Sequence, residues 1–235
     1  MHIPTEADFL TLWERGRYRH PIDQALLLGT WARPDIAPEQ VADLPLGALN
    51  HALLRLRESC FGKRLEAYVD CERCAQRLAF SVDTTQLLAP SPIDDQPTFE
   101  LAGFRFRSLC CRDLARVAGE TVPEQAAQKL LEYCCVERPV DAQGDVGELI
   151  NEVEAGLMAL DPGSEFRFSL ACDTCGHQWS ETLDIHGLLW EEVDAHARAL
   201  LIDVHCLARA YGWSETEILA LSPQRRATYV QMVNP

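Results

Sequence analysis

The sequence predicts an α+β fold in which a mostly helical body surrounds two short β-hairpins, with a further helical segment inserted between them. Three observations carry this prediction. Apolar residues recur at helical spacing over most of the chain. Two C-x-x-C pairs, Cys71/Cys74 and Cys172/Cys175, each lie between β-prone runs. The segments around these pairs, 66–88 and 167–189, align without a gap at an offset of 101 residues.

Glu66-Ala67-Tyr68-Val69-Asp70 precedes the first pair, and Arg167-Phe168-Ser169-Leu170-Ala171 stands in the same place before the second. After the pairs, Leu78, Phe80 and Val82 alternate along one face of the first copy. Trp179 and Leu183 hold that face in the second, with Glu181 interrupting it. Both copies close with Asp83 or Asp184, three spacer residues and Leu-Leu. Each unit therefore reads as strand, C-x-x-C turn, strand and an aspartate placed to cap a helix. Gly176 stands where such a turn needs positive φ. Ala75 takes the equivalent place at a cost of about 1 kcal/mol.

Composition sets the setting for these cysteines. With 47% hydrophobic and 24% charged residues in 235, the chain has the material for a folded core and is not a disordered segment. Thirty-six acids against 21 bases give a net charge of −15, and only two bases, Lys63 and Lys129, are lysines. A field of that sign repels phosphate backbones, so nucleic acid is not an expected partner. No apolar run reaches the roughly 18–20 residues that span a bilayer, and the first residues lack the basic start and apolar stretch of an export signal. The expected location is the cytoplasm, with no membrane association. In a reducing compartment ten cysteines serve packing, catalysis or metal binding rather than disulfides.

Thiolate-bound zinc takes four sulfurs at about 2.3 Å in a tetrahedron. One C-x-x-C turn supplies two and a facing turn completes the set. The expectation is one structural zinc ion held by Cys71, Cys74, Cys172 and Cys175, making the hairpins zinc knuckles that share a zinc-ribbon-like site. Arg73, Arg77 and His177 lie near enough in sequence to moderate its net −2 charge. A closed shell of four sulfurs stabilises rather than catalyses. Two alternatives remain: a redox C-x-x-C, which would open a helix rather than a strand, and buried cysteines without metal. The other six cysteines read as packing, with Cys134 and Cys135 at helical spacing beside Ala127, Leu130 and Leu131, and Cys206 on the apolar face of a C-terminal helix.

In chain order, residues 1–65 form an N-terminal helical segment. One helix spans 22–31, opening at Pro21. Another runs from Pro45 to Cys60 with Leu46, Leu49, Leu53 and Leu56 on one face and Gly62 as its stop. The first knuckle occupies 66–88. The hairpin and helical insertion, 89–165, begins with a proline-rich exposed connector at 89–97. A hairpin over 98–109 turns at Ala102-Gly103, and helices follow at 112–118 and 124–136. A loop at 139–144 leads to a helix over 146–160. The second knuckle occupies 166–184. In 185–235, Asp184 caps a helix with Ile185, Leu189, Val193, Leu200, Val204, Leu207 and Tyr211 in a stripe, closed by Gly212. Ser214 and Glu217 form a capping box, and Ser222-Pro223 starts the last helix. A metal shared by both hairpins makes all five segments one unit.

His186, His196 and His205 do not fall on one helix edge and read as solvent or packing residues. Glu191-Glu192 and Glu152/Glu154 read as exposed charge. The sequence contains no glycine-rich phosphate loop, no H-E-x-x-H and no G-x-S-x-G, so no enzymatic activity and no small-molecule substrate are expected.

Several stretches resemble a zinc-ribbon family that accompanies the baseplates of contractile-tailed bacteriophages and bacterial contractile injection systems. They are Leu49-Asn50-His51-Ala52-Leu53-Leu54-Arg55-Leu56-Arg57-Glu58, then Cys60-Phe61-Gly62-Lys63-Arg64-Leu65-Glu66-Ala67, and Asp161-Pro162 before the second hairpin. The block 204–221, with Ala210-Tyr211-Gly212-Trp213-Ser214 at its centre, and the ending Arg225-Arg226-Ala227-Thr228-Tyr229-Val230 complete the likeness. It runs from about residue 20 to the end and is weakest across the insertion. The family's C-P-x-C-G turn stands here as Cys71-Glu72-Arg73-Cys74-Ala75. The resemblance implies a non-enzymatic assembly factor or minor component of the baseplate hub, with hub or spike proteins as partners. Tyr211, Trp213 and Tyr229 are candidate contacts, because aromatic residues anchor interfaces. The alternative is a zinc-ribbon adaptor in transcription or translation, which would require a basic face around the knuckles.

Overall fold

The computed structural model describes residues 4–88, 96–139 and 146–233. Helices α1 (Glu6–Gly16), α2 (Pro21–Ala32), the single turn α3 (Pro38–Val41) and α4 (Leu46–Phe61) come first. Thr5 and Asp8 form a capping box on α1. Pro21 opens α2, where a missing N–H costs nothing. Gly62, at φ +86°, stops α4. The first hairpin pairs β1 (Arg64–Asp70) with β2 (Arg77–Asp83) and ends in the short α5 (Thr84–Leu87).

The insertion holds β3 (Thr98–Leu101), β4 (Phe104–Arg107), α6 (Cys111–Val117), α7 (Pro123–Cys134), β5 (Cys135–Glu137), one 3₁₀ turn (Val146–Leu149) and α8 (Ile150–Leu160). The second hairpin pairs β6 (Phe166–Ala171) with β7 (Gln178–Leu183). The long α9 (Ile185–Tyr211), α10 (Glu215–Leu219) and α11 (Pro223–Val233) complete the chain. The architecture is mixed helix and strand with small antiparallel sheets: among the described residues, two of two strands and one of three, ordered β3-β4-β5.

Two sequence expectations need correction. The helix predicted over 124–136 ends at Cys134, and Cys135 and Val136 belong to β5. The free edge of β4 accepts them, Phe106 pairing with Cys135, while Arg107 donates to the Tyr133 carbonyl at the helix end (3.0 Å). Tertiary pairing thus overrides a helical period. Glu192, read as exposed charge, holds the buried Arg57 in a two-point ion pair at 2.6 and 2.9 Å. Residues 89–95 of the expected connector and 140–144 of the expected loop lie outside the described residues.

Apolar side chains collect in two cores. The larger joins α1, α2, α4 and α9, with Leu12, Leu28, Leu53, Leu54, Leu189 and Leu200 buried in it. Helix α9 is its spine: Asp194 accepts from the Trp13 indole (2.6 Å), and Glu6 of α1 meets His196 and the buried Arg226 of α11, each at 2.7 Å. Gly16 makes room for the Trp190 ring, which would lie 2.2 Å from a Cβ there and would have to shift. The smaller core lies within the insertion, around Phe104, Phe106, Leu131, Cys134 and Val153.

The insertion is fastened to the start of α4 at two points, Leu109 after its hairpin and Asp161 near its end. The Leu109 carbonyl accepts from the Leu46 N–H (3.0 Å), and the Asp161 carboxylate accepts from the Gly47 N–H (2.9 Å). Helix N-terminal N–H groups have no partner within the helix, so these two contacts satisfy two of them as they attach the insertion. Asn50 also donates to the Gly163 and Ser164 carbonyls. Burial pushes the Asp161 carboxyl above its ordinary value, with the Gly47 N–H opposing.

Candidate metal centre

The two C-x-x-C turns fold alike. Cys71 N–H donates to the Gln76 carbonyl (2.9 Å) and Ala75 N–H to the Cys71 carbonyl (2.8 Å). In the second turn Cys172 donates to His177 and Gly176 to Cys172, both at 2.8 Å. Ala75 has φ +56° and Gly176 φ +69°, so alanine occupies the left-handed position that the sequence assigned to it. In both copies the turn leads into a strand rather than a helix, unlike the setting of a redox C-x-x-C. Phe80 and Phe168 bring the hairpins together, their ring centroids 6.0 Å apart.

This packing gathers four sulfurs that are about a hundred residues apart in sequence. The Sγ atoms of Cys71, Cys74, Cys172 and Cys175 all lie within 4.8 Å of one another. The closest contacts cross between hairpins: Cys71 to Cys175 and Cys74 to Cys172, each 3.7 Å. A tetrahedron with zinc–sulfur bonds of about 2.3 Å has sulfur–sulfur edges of about 3.8 Å. Disulfide sulfurs would stand at about 2.05 Å. The four cysteines are therefore positioned to hold a metal ion, and the donor set suits a thiophilic one. Cys71 and Cys172 are buried, Cys175 is half-buried and Cys74 faces solvent.

The electrostatics favour a cation. The Cys175 and Thr174 N–H groups draw the Cys172 thiol down to about 7. At Cys74 the Gln76 N–H favours the thiolate, but the Cys175, Cys172 and Cys71 sulfurs together with burial push the thiol up to about 12. Four thiolates this close repel one another until a metal ion neutralises them. Of the residues expected to moderate the charge, Arg77 pairs with Asp70 (2.9 Å) and covers the Tyr68 ring. His177 stacks on Trp179 with centroids 5.5 Å apart, and Arg73 is exposed.

The remaining predicted residues separate from this centre. Burial pushes the Cys111 and Cys134 thiols up to about 12, which fits neutral packing groups. His186 pairs with Asp184 (2.7 Å), His196 packs edge-on against Phe9 while pairing with Glu6, and His205 is exposed. Among the described residues, the four cysteines are the one group of such side chains arranged to hold a metal. Tyr211, Trp213 and Tyr229 form their own cluster where α9, α10 and α11 meet, with Tyr211 stacked on Trp213 at 4.7 Å and Tyr229 edge-on to it at 5.0 Å. Trp213 and Tyr229 are half-buried in that joint, and Tyr211 is 41% exposed.

Sequence reading missed Arg57. Only 3% exposed, it donates to the Gly62 and Arg64 carbonyls and so fixes the entry to β1 while paired with Glu192 of α9. In the sequence it is one of two arginines, with Arg55, among Leu53, Leu54 and Leu56, and nothing local separates the buried one from the exposed one. Compared with known proteins, the chain matches no family model, no curated protein and no solved structure. What the fold and site define is a mixed α/β protein whose two hairpins share a four-cysteine metal-competent cluster. Among the described residues no helix is long and apolar enough to cross a membrane.

Proposed function

We propose that this chain is a non-enzymatic assembly factor or minor component of the baseplate hub of a contractile tail or injection system, and that one zinc ion clasps its two hairpins as paired knuckles. The observation that carries the zinc is the convergence of four sulfurs at tetrahedral spacing from two turns of the same geometry. A closed four-thiolate shell offers no position for water or substrate, so its role is to fix the scaffold. The hub assignment rests on the resemblance of the 49–67 and 204–230 stretches, and hub or spike proteins are the proposed partners. Tyr211, as the exposed member of the aromatic cluster, is the proposed contact residue, with Trp213 and Tyr229 supporting it.

The test has two arms. Metal analysis of the purified chain is expected to return one zinc per molecule; none would overturn the clasp. Deleting the gene in a producing strain is expected to abolish assembled baseplates, and normal particles from that strain would overturn the assembly role. The transcription or translation reading would need a basic face, which the −15 charge opposes.

A further inference from the structure

Where the insertion meets the start of α4 there is a cleft of about 360 Å³. Its walls are apolar: Leu46 of α4, Leu130 and Leu131 of α7, Leu157 and Met158 of α8, and Leu109. Two polar groups line it from within. Ser108 is 1% exposed and its hydroxyl has no hydrogen-bond partner. Asp161 is 8% exposed, and its carboxylate accepts from the Gly47 N–H. Glu154 and Glu165 add two carboxylates to the lining, and these share the single guanidinium of Arg167, at 4.0 and 2.9 Å. Among the described residues, no lysine or arginine lines the cleft.

We propose that this cleft receives a lysine or arginine side chain carried by a segment of a partner protein. Such a side chain has the required chemistry from end to end. Its methylene stem matches the leucine walls, and its head carries several donors and no acceptor. That head complements the charge of the Asp161 carboxylate within the cleft and of Glu154 and Glu165 at its rim. An acidic occupant would meet three carboxylates. A purely apolar one would cover the Asp161 carboxylate without a counter-charge, which costs free energy. The inference deepens the assembly reading and rests on it for the occupant being a protein. It assigns the partner a basic contact residue and places docking at the joint of insertion and body.

The test is an amide chemical-shift titration of the full zinc-loaded chain. n-Butylammonium and n-propylguanidinium, which reproduce the two side chains, are expected to shift the Ser108, Leu109 and Asp161 amides at concentrations at least tenfold below n-butanol, with butyrate inert. The tripeptide acetyl-Leu-Lys-Leu-amide is expected to bind more tightly than n-butylammonium. No shift at these amides, or butanol matching the cations, overturns the proposal. n-Butylammonium binding more tightly than the peptide assigns the cleft to a free amine and overturns the protein-segment claim. Asp161→Asn keeps an acceptor for the Gly47 N–H and is expected to weaken n-butylammonium binding several-fold while leaving n-butanol unchanged. Unchanged n-butylammonium binding in that variant overturns the role of the carboxylate. Glu154→Gln, on the exposed rim, is expected to weaken the cations and leave butanol unchanged. These titrations use no tail component, so a deletion strain with normal baseplates would remove the assembly role while the cation preference stood.

Discussion

The two hairpins begin as copies and end as different structures. In both, an aspartate accepts from backbone N–H groups of the next residues, Asp83 from Thr85 and Asp184 from Gly187. One helix then stops after four residues and the other runs for 27. Pro90 and Pro92 follow the first in sequence, whereas apolar residues at helical spacing continue the second. Anchorage differs as well. The first hairpin is held by its strands: Leu65 and Val82 are buried, and Thr84, also buried, donates to Glu58 (2.7 Å). At the matching positions Phe166 and Leu183 are half-buried, and the second hairpin is held by the helix it launches. A duplicated local signal fixes how a segment starts, and what it packs against decides how it is kept.

If the clasp makes the copies equivalent at the metal, ligand loss should be symmetric. Cys71→Ser and Cys172→Ser are both expected to abolish stoichiometric zinc binding and to lower the melting temperature to a similar extent. This is the largest effect, since structural zinc contributes about 10–16 kcal/mol in small zinc-dependent peptides. Metal loss confined to one hairpin's variant would break the comparison.

Anchorage should be asymmetric. Leu65→Ala removes a fully buried side chain and is expected to cost about 2–5 kcal/mol in denaturant unfolding. Phe166→Ala, at the duplicate position, is expected to cost less despite its larger ring. Equal costs would mean that both hairpins are held by their strands.

The caps come next. Asp184→Ala is expected to cost about 1 kcal/mol, because the long helix loses its N-terminal acceptor. Burial alone would raise the Asp184 carboxyl, but hydrogen bonds from His186 and the Gly187 N–H hold it below its ordinary 3.8. Its contribution is therefore complete above the unfolded value and lost as pH falls through the lower folded one. Melting curves of parent and variant should converge below about pH 4. Asp83→Ala should move the melting temperature less, since it caps a single turn.

The smallest effects sit at the turns. Ala75→Gly is expected to stabilise by roughly 0.5–1 kcal/mol, by relieving left-handed strain at some cost in unfolded-chain entropy. Gly176→Ala should destabilise by about 1 kcal/mol for conformational reasons alone, since a Cβ there meets nothing within 4 Å. Opposite signs from these two changes would confirm that the turns share one conformation.

Much of this was legible before any coordinates. Pro21, Gly62, Gly212 and the Ser214/Glu217 box mark real helix ends, because caps and stops depend on bonds within a few residues. Ala102 and Gly103, both at positive φ, make the tight turn between β3 and β4 that the sequence indicated. The third strand of that sheet was hidden, since Cys135 reads as helix until the edge of β4 is available to pair with it. Ser108, Asp161 and Arg57 were also hidden, since their importance arises from what surrounds them.

The sequence alone determined the duplicated turns, the positions of their cysteine pairs, their strained alanine and the starts of the helices after them. Each follows from backbone sterics or hydrogen bonds over a handful of residues. Only the tertiary structure decided that Cys71 faces Cys175, that one capped helix becomes the spine, and that the insertion closes a cleft against α4. Those outcomes depend on burial and pairing between residues far apart in the chain, which no local pattern encodes.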